Sequence, residues 1–157
     1  MSAERTLTVM TYNVHGCLGL DRRRSPERIA EVVREVGPQV VALQEIDLCR
    51  ERSGGVDQAK RIAGLLGMES HFYATVEDGA GQYGGALLSS FPVRKVKAKL
   101  LPATGPQEPR GALWVEVDCD GQPVQIINTH LGLRRDERAR QVEQLLGPAW
   151  CRHPRFK

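Results

Sequence analysis

The sequence predicts a single mixed α/β domain. Three observations carry that reading: helix-like and strand-like runs alternate through the first third, the periodicity shifts toward two after about residue 70, and Asp120-Gly121 between two apolar runs is a strong hairpin signal. The 157 residues suffice for one buried core, since a domain near this size hides roughly 70% of its unfolded surface. Apolar residues at 41% and charged residues at 26% exclude a disordered or fibrous chain. No internal repeat or low-complexity tract appears.

Residues 7–14 alternate as a strand does. Ser25 then stands as an N-cap, with Pro26 at the first helical position and Glu27 near the positive end of the helix dipole. Ile29, Val32, Val33 and Val36 predict the apolar face of that helix, and Gly37-Pro38 its stop. VVALQEI at 40–46 reads as a buried strand ending in Gln44 and Glu45. Asp57 caps a second helix with Ala59, Ile62, Ala63 and Leu66 inward, and Gly67 ends it.

Strands are predicted over 71–76, 86–91 and 96–100, the last alternating with lysines, and residues 102–109 form a loop rich in Pro and Gly. Residues 112–117 and 124–129 pair around Asp120-Gly121 in a type I′ turn. A last helix is predicted from about 136 to 146 with Ala139, Val142 and Leu146 inward, ended by Gly147-Pro148.

The net charge of +3 permits an anionic substrate and is too small to indicate nucleic-acid binding by itself. Basic residues bunch at 22–24, at Arg134, Arg135, Arg138 and Arg140, and over 152–157, where a solvated surface explains most of them. Cys17, Cys49, Cys119 and Cys151 have no zinc-like spacing and read as reduced thiols of a cytoplasmic protein. The opening MSAERTLTVM lacks the layout of a signal peptide, and no apolar run reaches membrane-spanning length.

Residues 79–84 match G-x-G-x-x-G, but a dinucleotide loop must open a helix, and the β-like run up to Pro92 excludes one. A bend before a strand is the reading adopted. More informative are three polar strand ends: TYN at 11–13, Gln44-Glu45, and NTHL at 128–131. Ligand sites of α/β folds favour the carboxyl ends of strands, so the three predict one shared site. Singly, Asn13 reads as a turn former, Glu45 as a solvent-facing strand end and His130 as a hydrogen-bonded, partly buried histidine.

In this order, TYNVHG at 11–16, SPERIA at 25–30, VVALQEID at 40–47, DQAKRIAGLLG at 57–67, YGGALLSSFPV at 83–93, EPRGAL at 108–113 and INTHLGL at 127–133 resemble the endonuclease/exonuclease/phosphatase superfamily. The resemblance covers nearly the whole chain. It implies a four-layer α/β sandwich of two β-sheets flanked by helices, DNase I-like, truncated before its C-terminal part. It implies a Mg²⁺-dependent phosphoesterase, with Mn²⁺ as an alternative cation. Glu45 matches the principal metal-ligating carboxylate, Asn13 the asparagine beside the metal, and His130 the histidine that contacts the scissile phosphate.

Arg110 and Tyr83 match positions suited to substrate phosphate, a structural ion pair being equally open for Arg110. Gly85 departs from the asparagine usual at its position. Asp47 and Asp57 are expected near the mouth of the site, with helix capping the better role for Asp57. The GDFN and SDH blocks that supply the water-orienting residues do not occur in these 157 residues. The expectation is therefore residues 1–147 as the N-terminal portion of the domain and 148–157 as a tail leading to an absent strand, with an open sheet edge available for self-association. The substrate is expected to be a nucleic acid, a phospholipid or a small phosphate ester, cleaved with impaired activity. The alternative is a remnant that binds phosphate or metal without catalysis.

Overall fold

A computed structural model describes residues 6–156; the first five residues, part of the N-terminal stretch considered above, and Lys157 lie outside the described residues. Strand β1 (Val9–Asn13) leads through a left-handed turn to helix α1 (Pro26–Val36), and β2 (Val40–Leu48) to helix α2 (Gln58–Leu66). Local chemistry sets the helix starts. Ser25 accepts from the N–H of Arg28, Asp57 accepts from that of Lys60, and Gly37 and Gly67 close the two helices in the left-handed region.

β3 (Glu69–Asp78), β4 (Gly81–Ser89), β5 (Val93–Leu100), β6 (Gly111–Cys119), β7 (Gln122–Thr129) and helix α3 (Arg135–Leu145) follow. One sheet has the order β1-β2-β4-β3, with β1 parallel to β2 across the α1 crossover and the other pairs antiparallel. The second sheet is the meander β5-β6-β7. At its hairpin Asp120 and Gly121 both take positive φ, 54° and 86°, as a type I′ turn requires.

Three apolar layers hold these parts together. Ile29, Val33 and Ile62 of the helices meet Val41, Leu43, Ala86 and Leu88 on one face of the first sheet. Val40, Tyr73 and Leu87 on its other face meet Leu113, Val115 and Val117 of the second sheet. The outer face of the second sheet carries Ala112 and Trp114 against Leu145 and Trp150. The result is two sheets face to face with helices on both outer sides, as the family resemblance implies. Among the described residues no helix is long and apolar enough to cross a membrane.

Three local expectations are corrected. Val32 and Val36 of α1 are exposed, because the stripe facing the sheet is Ile29, Ala30 and Val33; at about 100° per residue, Val32 lies on the flank. Helix α3 buries Glu137, Gln141 and Leu145, and the predicted face of Ala139, Val142 and Leu146 points outward. Its buried contacts are polar: Gln141 accepts from the Gly132 N–H at 2.8 Å and donates to the Pro102 carbonyl at 3.1 Å. Finally, the bend at 79–84 is confined to Gly79 and Ala80, and β4 already runs from Gly81. Glycine is needed within that strand because a Cβ on Gly84 would strike the Tyr73 carbonyl.

Residues 148–157, expected as a tail, include a tight set of contacts over Trp114. The Trp114 ring lies 6.5 Å from that of Trp150, 5.0 Å from His153 and 5.1 Å from Phe156. Lys97 sits 4.2 Å over the Trp150 ring and donates to the Ala149 carbonyl at 2.7 Å. Trp150 is fully buried, so Trp150→Ala is expected to cost about 3–5 kcal/mol. Val142→Ala on the outward face of α3 should cost under about 1 kcal/mol; urea denaturation compares the two.

The four cysteines are free thiols, Cys17 buried and Cys49 and Cys151 exposed. Burial first, and the nearby Asp47 carboxylate second, push the Cys17 thiol up to about 12. A maleimide at neutral pH is expected to label Cys49 and Cys151 in the native protein and Cys17 only after denaturation, as peptide mass mapping would read.

Candidate active site

The site is built where β2 leaves regular pairing. Gln44 pairs with Gly85 and Ile46 with Gly84, so Glu45 is an extra residue with no partner across the ladder, at φ 60°. Packing explains the bulge. Val41 and Leu43 face the helices at two-residue spacing, and Ile46 continues that face only because one residue has been looped out.

Contacts from the first strand hold the released carboxylate. Asn13 at the end of β1 donates its Nδ2 to Glu45 Oε1 at 2.9 Å, and His15 Nδ1 lies 3.0 Å from Oε2. The N–H of His15 in turn donates to Asn13 Oδ1 at 3.1 Å. His15, Gly16 and Cys17 all have positive φ, at roughly 1–2 kcal/mol for each non-glycine residue. Two donors on the Gly16 carbonyl, Arg24 Nη1 and Gln58 Nε2, each at 2.8 Å, anchor that turn.

Burial pushes the Glu45 carboxyl up, but the hydrogen bonds from Asn13 and His15 outweigh it and leave the group below its ordinary value. An ionised carboxylate only accepts, so the His15 proton is on Nδ1. His130, just past β7, places Nδ1 3.8 Å from Glu45 Oε1 and 3.3 Å from Arg110 Nη1. Arginine only donates, so here Nδ1 accepts and the proton is on Nε2. Burial first, and the Arg110 charge second, hold His130 below its ordinary value and favour this neutral form.

Behind these groups, Asn128 on β7 donates to the carbonyls of Leu43 at 3.0 Å and Ala86 at 2.9 Å, and accepts from Gln44 Nε2 at 2.8 Å. One amide thus ties the two sheets together beneath the site. Tyr73 closes the same region, its hydroxyl 3.3 Å from the Asn128 carbonyl. At Gly85 a Cβ would lie 2.7 Å from the Tyr73 ring and 2.9 Å from the Leu43 carbonyl. The missing amide at Gly85 therefore coincides with a tyrosine that fills its place.

Asn13, Glu45, His130, Arg110 and Tyr83 all meet in this region. Arg110 is bonded to Glu108 at 2.7 Å, with its side chain only 11% exposed. The Tyr83 hydroxyl is held above its ordinary value by burial first and then by Glu108 and Glu45. Asp57 caps α2, as expected. Asp47 is not at the mouth: it is fully buried beneath it and takes a two-pronged contact from Arg52 at 2.9 and 2.7 Å.

Sequence reasoning missed His15, Arg24, Arg52 and Glu108. With Glu45, Tyr83 and Arg110 they line a cleft of about 310 Å³. His15 stands inside the TYNVHG block, and Arg24 lies in a basic run that a solvated surface explains equally well. For a cation, the available donors are the Glu45 carboxylate and the Asn13 amide oxygen; among the described residues no three His, Cys, Asp or Glu side chains form a metal cage. That all-oxygen pair suits a hard cation that keeps most of its ligands as water and phosphate oxygens.

Solved structures with this arrangement of sheets are similar at low identity. An endonuclease/exonuclease/phosphatase from Beutenbergia cavernae is 23% identical at a TM-score of 0.70, covering 89% of this chain and 43% of that one. D. rerio TDP2 complexed with single strand DNA product is 22% identical at a TM-score of 0.63, covering 91% of this chain and 54% of that one. These likenesses show the fold: the chain shares with those structures two face-to-face sheets flanked by helices.

The chain belongs to the family described as PGAP2IP, C-terminal nuclease-like domain, whose pattern it matches over residues 4–147. Among proteins, it is 25% identical to the Escherichia coli protein YbhP over 147 residues, 87% of this chain and 58% of that protein. It is 30% identical to Schizosaccharomyces pombe protein cwh43 over 145 residues, 89% of this chain and 14% of that protein. It thus spans little more than half the length of YbhP.

The Gly85–Tyr73 fit is testable. Gly85→Asn is expected to destabilise the fold by about 1–3 kcal/mol through overpacking. Part of that loss should return in Gly85→Asn/Tyr73→Ala relative to the sum of the single changes, the coupling being read by a double-mutant cycle in urea.

Proposed function

We propose that this domain hydrolyses phosphate esters with the help of magnesium or manganese. The observation that carries the reading is the convergence of Asn13 at the end of β1, Glu45 in the bulge within β2 and His130 just past β7 onto one small volume, with Glu45 bonded to Asn13 at 2.9 Å and 3.8 Å from His130. β2 continues to Leu48 and does not end at Glu45 as expected. Glu45 and Asn13 would hold the cation, which supplies a Lewis acid and a template for the phosphate when bound. The chain's own groups do the rest. His130, neutral with Nε2 protonated, donates toward a phosphoryl oxygen, and Arg110 offers donors in a fixed fork. Tyr83 forms the wall that keeps the ester near both.

The shared fold of the TDP2 structure solved with single strand DNA product supports nucleic acid as the first substrate class to test, ahead of phospholipids and small esters. The free thiols support a reducing compartment such as the cytoplasm. The groups named here anchor and stabilise charge, while the aspartate and asparagine of the GDFN and SDH blocks, which the resemblance assigns to orienting water, are not among the 157 residues. Slow turnover is therefore expected of this chain, general-base assistance being typically worth ~10²–10⁴-fold. The second reading is a module that binds phosphate or metal without turnover.

The assay is hydrolysis of a bis-aryl phosphodiester with Mg²⁺ or with EDTA, on the wild type and on Glu45→Gln. Weak hydrolysis lost in both EDTA and the variant is the expected result. Binding of Mg²⁺ and phosphate with no turnover would favour the second reading, and absence of binding and turnover alike would sink both.

A further inference from the structure

Two arginines of the cleft have no role in the reading above. Arg52 is pinned by its paired contacts to Asp47, which is fully buried, and its guanidinium carbon lies 5.3 Å from the centre of the Tyr83 ring. Its Nη1 has no protein partner among the described residues. Arg24 donates from Nε to the Arg52 carbonyl at 3.1 Å and from Nη1 to the Gly16 carbonyl at 2.8 Å. Among the described residues its Nη2 has no protein partner and no carboxylate pairs with it. Both arginines line the 310 Å³ cleft together with Glu45 and Arg110.

We propose that Arg24 and Arg52 form a second anion subsite that takes another phosphoryl group of the same substrate, so that the preferred ligands carry a terminal phosphate or a diphosphate beside the ester. An unrestrained surface arginine keeps its rotamers; these two have already given up that freedom on folding. Their free N–H edges are thus already in place to meet an acceptor-rich tetrahedral group, and such pre-ordering reduces what binding must pay in entropy. The charge is also available. Asp47 neutralises Arg52 and Glu108 pairs Arg110, whereas Arg24 bonds only to backbone carbonyls and presents its charge to that wall of the cleft, facing the ionised Glu45. A phosphoryl group matches that wall better than a neutral alcohol or sugar would.

The proposal rests on the phosphoesterase reading for the position of the scissile ester, while the subsite rests on the arginines alone. The test is calorimetric titration of the metal-free protein at moderate salt with inorganic phosphate and with pyrophosphate. Pyrophosphate is expected to bind at least roughly tenfold more tightly than phosphate to the wild type, the effect of about one added charged hydrogen-bond contact. The ratio should approach one in Arg24→Gln and in Asp47→Asn/Arg52→Gln, the second chosen so that no buried carboxylate is left unpaired. Arg24→Lys, which keeps the charge, should recover part of the preference, and thermal denaturation would confirm that each variant is folded.

A ratio near one in the wild type, or a preference that survives both variants, would overturn the subsite. His130→Ala separates the two ideas: if phosphate still binds undiminished while the pyrophosphate preference depends on Arg24, the subsite stands and the reading of His130 falls. A parallel titration with 5′-phosphorylated and unphosphorylated oligonucleotides assigns the source, a strand end if the first binds more tightly and a small diphosphate if neither does.

Discussion

The looped-out residue at Glu45 is the constraint on which the rest of this structure depends. A strand presents alternate side chains to opposite faces, so a regular β2 would send residue 45 into the layer beneath α1 and α2, where Ile46 now lies. Burying an ionised carboxylate there without a partner is prohibitive. The bulge satisfies both demands in one step: Ile46 enters the core, and Glu45 turns to Asn13 and His15 at the strand end. Core packing and site geometry are therefore one feature. A change that regularised β2 would damage both.

The second determinant is the polar tie between the sheets. Asn128 reaches two carbonyls of the first sheet and the amide of Gln44, and Gln44 also donates to Thr11 Oγ1 at 3.1 Å. The three bonds of the Asn128 amide are buried, so each group is satisfied where an unsatisfied one would cost roughly 1–3 kcal/mol. Their effect is positional. They fix β1, β2, β4 and β7 relative to one another next to Glu45 and His130, so the two halves of the site, one from each sheet, keep their spacing although the apolar layer between the sheets has no directional preference of its own.

Much of this was legible in the sequence, for reasons that can be named. Ser25, Pro26, Asp57, Gly37 and Gly67 act within one turn of chain, so their roles as caps can be read without knowing the fold. The Asp120-Gly121 turn and the two-residue periodicity are equally local. Asn13, Glu45 and His130 were found through their order within a set of motif blocks. What could not be read depended on partners distant in sequence. The inward face of α3 is polar because Gln141 bonds to loop carbonyl and amide groups at Pro102 and Gly132, which apolar periodicity does not register. The bulge did leave a trace, since Val41, Leu43 and Ile46 are spaced by two and then three.

The residues that escaped detection share a property. His15, Arg24 and Arg52 are held by backbone carbonyls, a left-handed turn and a fully buried aspartate, none of which has a composition of its own. They read as ordinary surface because their chemistry lies in being immobilised. Holding His15 and Cys17 at positive φ is unfavourable, and Asp47 is tolerable in the interior only while Arg52 covers it. A chain under selection for stability alone would relax both. Both features border the same cleft as Glu45 and Arg110, and the common result is a wall of oriented donors around a carboxylate that stays ionised. Strain concentrated there, while the apolar layers follow ordinary alternation, is the pattern expected where function and stability make different demands on one fold.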